Sequence, residues 1–329
     1  MSAFHSLRHS PLVRQTTTRY PLPSIDQGER VLAILGSLRF ATTIQLRRAV
    51  YDALVETPRQ ARYRATKALR RLFDAGFTNR VQVFCPSAAS DQLSLQFVHA
   101  LSPAGARMIG FDPNLARSRA PKPRSVLAHD FWLTELAVMA MEGCPSELAI
   151  THWWNDRVLS ARKRKGQLSL PTIPDGLLFV RNLRTGNDYP CLMELDLGTE
   201  SVTSRGRTRA DFAGKIEGYL GYLGALFRSD FGIDATPIVL IVADSDRRAT
   251  SLMTTVERMG GAGRFWVAPL ASLRGFDPAA SEASASRKGR FWGISWRVPH
   301  DRALRSLRTR CGVANDATQS QAEGTKRWS

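Results

Sequence analysis

Residues 172–222 constrain the fold of this chain more than any other stretch. Two apolar runs of strand length, 176–180 and 189–196, each carry acidic residues at one end. The segment between them, 181–188, has the composition of a turn, so the pair predicts a β-hairpin. Apolar side chains then recur at helical spacing from Phe212 to Phe227, which predicts a helix packed on a sheet. The stretch therefore indicates a mixed α/β fold.

The acidic residues of this hairpin form a candidate metal site. Glu194 and Asp196 are two residues apart on one strand and so share a face, and Asp175 begins the neighbouring strand. Carboxylates in this arrangement suit Mg²⁺ or Mn²⁺, which bind oxygen ligands and leave positions for water and phosphate. Lys215, on the following helix, would supply a cation against charge that develops on a phosphate. We therefore predict that these four residues converge.

The order of these motifs resembles a known nuclease fold. A Pro-Asp pair at 174–175, a hairpin, Glu194-Leu-Asp196 and a helical Lys215 look like the PD-(D/E)xK restriction-endonuclease-like fold. More narrowly, the chain resembles the plasmid replication-relaxation family and the MobC-type mobilisation relaxases. That resemblance implies metal-dependent cleavage of DNA, with Asp175, Glu194 and Asp196 as metal ligands. The commonest pattern has lysine two residues after the glutamate, where this chain has Asp196. Lys215 would then be the replacement, and the alternative is a site that binds metal without cutting.

A predicted helix at 126–141 offers one more candidate for the same site. It carries His129 and Glu135, which are six residues apart and therefore do not share one face. Only one of them is expected to point at the carboxylates. The resemblance favours His129 as a catalytic residue, whereas a hydrogen-bonded core histidine is the alternative.

The first third of the chain predicts a DNA-binding unit. Helices at 25–38, 43–54 and 58–75 precede a hairpin formed by 77–84 and 93–101, which is the order of a winged helix-turn-helix. Through residue 120 there are 17 basic and 7 acidic residues, a net charge of +10. The third helix carries most of the candidates for contacts with phosphates or bases: Arg59, Arg62, Arg64, Lys67, Arg70 and Arg71. A solvated basic face, or a winged helix used for protein contacts, would explain the same pattern.

Composition indicates the partner and the compartment. The chain has 329 residues, 46 Lys and Arg against 29 Asp and Glu, a net charge of +17 and a pI near 10.6, which favours a polyanion such as DNA. No apolar run approaches the roughly 20 residues of a membrane span. The four cysteines have no paired spacing, which argues for reduced thiols and against a zinc site. The N-terminus lacks the apolar core of a signal peptide, so we expect a cytoplasmic protein. A second basic segment, predicted to be a turn, is a further DNA contact: Arg162, Lys163, Arg164 and Lys165.

A break in composition divides the chain into domains. Residues 111–124 are rich in Pro, Arg and Lys and lack periodicity, so they predict a linker. It separates a winged helix at 25–110 from an endonuclease-like α/β domain at 125–298. We expect a disordered leader at 1–24 and a basic disordered tail at 299–329.

Three functions remain open on the sequence. The first is a DNA-processing protein of a plasmid or mobile element that recognises DNA, at an origin for example, and nicks it by metal-assisted hydrolysis. The second is a non-catalytic DNA-binding replication or mobilisation accessory, and the third is a transcriptional regulator whose second domain mediates assembly. A homodimer or contacts with other mobilisation or replication proteins are compatible with each.

Overall fold

The computed structural model describes residues 25–52, 57–86, 93–116, 124–198, 212–272 and 290–313. The predicted leader at 1–24 lies outside these residues, as do residues 314–329 of the predicted tail. The mixed α/β class is confirmed, because one sheet of seven strands combines parallel and antiparallel pairs.

The N-terminal elements surround a small antiparallel sheet. The strand order is β1-β3-β2, and β2 pairs with β3 along its whole length, which confirms the predicted hairpin. Thr57 caps the third helix and Pro58 occupies its first turn, so the helix begins where the sequence predicts. In chain order the elements are α1 (Ile25–Leu38), β1 (Phe40–Thr42), α2 (Thr43–Leu46) with a π-helical continuation (Arg47–Tyr51), α3 (Pro58–Asp74), β2 (Thr78–Pro86), β3 (Leu93–Leu101), α4 (Pro103–Met108) and α5 (Pro113–Ala116).

The second part of the chain forms the seven-stranded sheet. Its strand order is β10-β9-β8-β7-β6-β5-β4, with β6, β7 and β8 parallel to one another. The elements are α6 (Arg124–Glu142), β4 (Leu148–Asn155), α7 (Asp156–Arg164), β5 (Gly176–Asn182), β6 (Asp188–Asp196), α8 (Phe212–Tyr222), α9 (Ala225–Phe231), β7 (Ile238–Ala243), α10 (Asp246–Arg258), β8 (Phe265–Pro269), a 3₁₀ turn (Leu270–Ser272), α11 (Arg290–Gly293), β9 (Trp296–Val298), β10 (Asp301–Arg305) and α12 (Leu307–Arg310).

Two hydrophobic clusters cover the two faces of this sheet. One face packs against α8, α9 and α10, and the other faces α6 and the N-terminal helices. Every residue of β7 is buried, as expected for a parallel strand covered on both faces. The site of interest lies on the face that α8 covers.

Three local predictions differ from the structure. The strand predicted at 152–158 ends at Asn155, because the Asn155 side chain accepts hydrogen bonds from the backbone N–H groups of Arg157 and Val158 and so starts α7. The basic segment that follows is consequently the last turn of a helix and not a loop. The edge strand predicted at 291–298 is shorter, since 290–293 form α11.

The predicted tail and linker also contain structure. After residue 299 the chain forms β10 and α12, and Leu307 and Cys311 are buried. Within the predicted linker, residues 113–116 form α5 and Phe111 packs near Gly36. Residues 117–123 lie outside the described part.

Helix α6 connects the N-terminal elements to the large sheet. Arg48, in the π-helical segment, forms ion pairs of 2.5 Å with both Glu135 and Glu142 of α6. Arg39, which has a φ of 75°, donates to Asp130 of α6. The two parts of the chain therefore share buried polar contacts as well as a continuous apolar cluster.

Candidate functional site

The hairpin of β5 and β6 places Asp175 opposite Glu194. Gly176 pairs with Met193, so the residue before β5 lies across from the residue after Met193. The backbone N–H of Leu195 donates to Oδ2 of Asp175 over 2.8 Å, which fixes this carboxylate beside β6. The two carboxylates thus lie on neighbouring strands at one end of the hairpin.

Glu194 is buried and is held by two donors from α8. Lys215 Nζ lies 3.2 Å from its Oε2, and the hydroxyl of Tyr219 donates to its Oε1. Burial raises the pKa of Glu194, and the charge of Asp175 raises it further, to about 7, against the opposing effect of Lys215 and Tyr219. This carboxyl group therefore titrates near neutral pH.

His129 approaches the same carboxylate pair from α6. Its Nε2 lies 3.1 Å from Oδ2 of Asp175, and its Nδ1 lies 3.7 Å from Oδ1 of Asp130. Burial alone would lower the pKa of His129, but its contacts with the carboxylates of Asp130 and Asp175 and the charges of both raise it to about 10. The imidazole is therefore a cation at neutral pH, and it contacts Asp175 whereas Lys215 contacts Glu194.

Asp196 has a different set of partners. The guanidinium of Arg248, on α10, donates to its Oδ2 over 3.0 and 2.6 Å, and the backbone N–H of Gly198 donates to its Oδ1 over 2.8 Å. Glu194 and Asp196 do share a face of β6, but they contact different helices on that face. The structure therefore brings together Asp175, Glu194, Lys215 and His129, and it places Asp196 with Arg248.

Of the two candidates on α6, His129 is the one that faces the carboxylates. Glu135 points instead toward the N-terminal elements, where it accepts from Arg48 and from Gln45. The prediction that only one of the two would reach the site is confirmed.

Sequence reasoning missed Tyr219 and Arg248. The sequence pattern assigned Tyr219 to the apolar side of α8. Tyr219 follows Lys215 by four residues, however, and therefore lies on the same helix face as Lys215. Arg248 follows Asp196 by 52 positions, and no local pattern joins them.

The carboxylates available to a divalent cation at this site are those of Asp175 and Glu194. Across the described ranges, no group of three or more His, Cys, Asp and Glu side chains is arranged to hold a metal. Mg²⁺ commonly takes one or two carboxylates and completes its shell with water and substrate phosphate. Asp175 and Glu194 supply such a pair, close enough that the charge of one raises the pKa of the other. The charge of Asp196 is neutralised by Arg248.

The solvent-facing side of α3 is a second candidate site. Its buried residues are small or apolar, and Tyr63 on the opposite side has 65% of its surface exposed. Lys67 Nζ lies 5.6 Å from the ring centroid of Tyr63. All six basic residues named from the sequence are exposed: Arg59, Arg62, Arg64, Lys67, Arg70 and Arg71.

The predicted basic segment at 162–165 lies at the C-terminal end of α7. Arg162 is half-buried and stacks on Trp154, with its guanidinium carbon 4.4 Å from the ring centroid. Lys163, Arg164 and Lys165 are exposed. Lys165 forms a 3.7 Å ion pair with Asp112.

Fold and site together define a class of protein: a basic α/β protein whose mixed sheet carries a carboxylate pair, Asp175 and Glu194, in contact with two cationic side chains. The family model described as replication-relaxation matches residues 32–228, more than half of the chain. The chain therefore belongs to the replication-relaxation family, which connects it to replication or relaxation of plasmids and mobile elements. The matched region contains α3 and the five predicted site residues Asp175, Glu194, Asp196, Lys215 and His129. No curated protein and no solved structure matches the chain.

No helix in the described part of the chain combines the length and the apolar character that a membrane span needs.

Proposed function

We propose that this protein is a cytoplasmic DNA-processing factor of a plasmid or mobile element, and that it binds duplex DNA through α3. The observation that carries the proposal is the set of six exposed basic side chains on one helix of a chain with a net charge of +17. Cations on the outer face of a helix bind phosphates, and this electrostatic contribution supplies most non-specific affinity for DNA.

The order of the N-terminal elements supports a winged helix-turn-helix. The elements follow one another in the order helix α1, short strand β1, helices α2 and α3, and the antiparallel ribbon of β2 and β3. Strand β1 pairs with β3 and completes the small sheet. In this arrangement α3 is the recognition helix and the β2–β3 ribbon is the wing. Arg80 of the wing stacks on Phe73 of α3 at 4.2 Å and on Phe97 at 5.2 Å, which fixes the wing against the helix.

Binding to a labelled duplex tests this proposal directly. Replacing Arg62, Arg64 and Lys67 together with alanine should weaken binding at least about tenfold, because three phosphate or base contacts are lost. A matched control removes the same charge from exposed positions elsewhere: Arg184, Arg247 and Arg258. Equal affinity of the parent and the α3 variant would move the DNA surface away from α3.

A second candidate function, metal-assisted hydrolysis of a phosphodiester, is favoured by the position of Lys215. Its Nζ reaches Glu194 from α8, in a chain that lacks a lysine two residues after that glutamate. A divalent cation held by Asp175 and Glu194 would polarise the phosphate and lower the pKa of a water. Lys215 would neutralise charge on the phosphate, and His129 would hold Asp175 in place through the 3.1 Å contact.

Nicking of supercoiled plasmid in Mg²⁺ separates this candidate from a non-catalytic accessory role. Parent protein should convert the plasmid to the open circle, and both Glu194→Gln and Lys215→Met should lose this activity. Asp234→Asn, a change at a carboxylate with 93% side-chain exposure, is the matched control and should nick like the parent. If the parent binds duplex but leaves it intact with Mg²⁺ and Mn²⁺, the accessory role holds and hydrolysis is excluded.

A further inference from the structure

An aromatic cluster lies where strand β4 forms the edge of the seven-stranded sheet. His152 is exposed, and Trp154 and Phe231 are half-buried. The rings are in contact: the Trp154 centroid lies 5.7 Å from that of His152 and 5.8 Å from that of Phe231. Phe179 and Phe227 are buried behind them, at 5.2 and 4.6 Å from Phe231. We call the three surface residues, His152, Trp154 and Phe231, the β4 aromatic edge.

The β4 aromatic edge is bordered by positive charge. The guanidinium of Arg162 stacks on Trp154, and within the described ranges no carboxylate forms an ion pair with it. Lys163 and Arg164 continue the same helix turn and are exposed. Burial lowers the pKa of His152, and the charges of the nearby Arg162 and Arg181 lower it further. The edge thus offers aromatic surface beside cations.

The edge lies on the same sheet face as the carboxylate pair. Trp154 pairs with Leu177, and Leu177 pairs with Leu192, which precedes Glu194 by two residues. Trp154 is separated from Glu194 by two strand spacings across the sheet and by two residues along the strand. This offset corresponds to about 12 Å between their backbone positions. A strand of nucleic acid at the carboxylate pair could therefore extend over β4.

We propose that the β4 aromatic edge binds single-stranded DNA, with unpaired bases stacked on His152 and Trp154 and the backbone held by Arg162 and Lys163. Aromatic side chains in a positively charged groove are the usual means of binding single strands, because every base has a face that can stack. A duplex cannot use such a surface, since its base faces are covered by their neighbours. An acidic partner would fit the cations but would leave the aromatic rings without a role. The inference rests on the proposed function, since it assumes that DNA is the ligand.

Fluorescence anisotropy with a labelled oligo-dT strand tests the proposal. His152→Ala and Trp154→Ala should each weaken binding at least about fivefold, the lower end of the effect of losing one base stack. Trp154→Phe keeps an aromatic ring and should stay within about twofold of the parent, in keeping with stacking that tolerates different rings. Leu183→Ala, at a side chain with 59% exposure elsewhere on the surface, is the control. Because His152 is exposed, its variant should keep the parent melting temperature.

The same proteins are titrated with a labelled duplex. Unchanged duplex binding by the His152 and Trp154 variants, together with weakened oligo-dT binding, supports the inference. Two results would overturn the inference while the proposed function stands. In the first, the parent binds duplex but not oligo-dT. In the second, both variants bind oligo-dT with the affinity of the parent. If the parent binds neither DNA, the proposed function fails as well.

Discussion

Removing the Arg48 side chain should destabilise the junction between the N-terminal elements and α6. Arg48 and Glu135 each have 1% of their side-chain surface exposed, and Glu142 has 15%. Burial lowers the pKa of Arg48, but Glu135 and Glu142 outweigh it and raise that pKa above its ordinary value. In Arg48→Met the methionine fills similar volume, yet the buried Glu135 and the half-buried Glu142 lose this cation. Loss of one partner of a buried pair costs about 3–5 kcal/mol.

Urea unfolding followed by tryptophan fluorescence measures this cost. About 3–5 kcal/mol is a large part of the roughly 5–15 kcal/mol that stabilises a typical native protein. The control is Arg70→Met, which removes an exposed pair with Asp74 at 3.6 Å and should cost at most about 1 kcal/mol. Adding Glu135→Leu to Arg48→Met should recover part of the loss, because one unpaired charge disappears. A cost for Arg48→Met no larger than that for Arg70→Met would refute the reasoning.

Two further predictions concern pH, with divalent cations removed by a chelator. The pKa of Glu194 is raised to about 7 in the folded state, so its contribution to stability is complete below about pH 4.5 and is lost as pH rises through 7. In thermal melts across this range the melting temperature of the parent should fall, whereas that of Glu194→Gln should not show this decline. An identical pH profile for parent and variant would contradict the prediction. The pKa of His129 is raised to about 10, so its stabilising contribution is complete below about pH 6.5 and is lost as pH rises through 10. His129→Asn should therefore be destabilised most in acid and should match the parent above pH 10. A constant difference in stability across this range would exclude the ion pair with Asp175 as the cause of the destabilisation.

Periodicity predicted the elements that carry the carboxylate pair. The acids at the ends of two apolar runs indicated a hairpin, and β5 and β6 form one. Helical spacing from Phe212 onward gave α8, and Lys215 reaches Glu194 from it. These predictions succeed because they depend on neighbouring residues and on the two-residue period of strands, which the sequence contains directly.

The polar partners across the fold could not be predicted in the same way. Asp196 shares a face with Glu194, but its side chain meets Arg248 because parallel pairing of β6 and β7 brings the start of α10 beside the end of β6. The strand predicted at 152–158 ends at Asn155, because the Asn155 side chain caps α7. Such contacts depend on tertiary geometry and on single side-chain hydrogen bonds, which leave no periodic pattern.

The domain division and the roles of the site residues stay predictions. Limited proteolysis should cut first between residues 111 and 124, the predicted linker. Cleavage within the central strands of the large sheet before this segment would contradict the division.

The salt dependence of duplex binding tests the central claim most directly. The logarithm of the binding constant falls with the logarithm of salt concentration by roughly 0.9 per phosphate contact. For the variant lacking Arg62, Arg64 and Lys67, the slope should therefore be shallower than that of the parent by up to about 2.7, while the variant lacking Arg184, Arg247 and Arg258 keeps the parent slope. An α3 variant with the parent slope, or a control variant with the larger change, would contradict binding of DNA through α3.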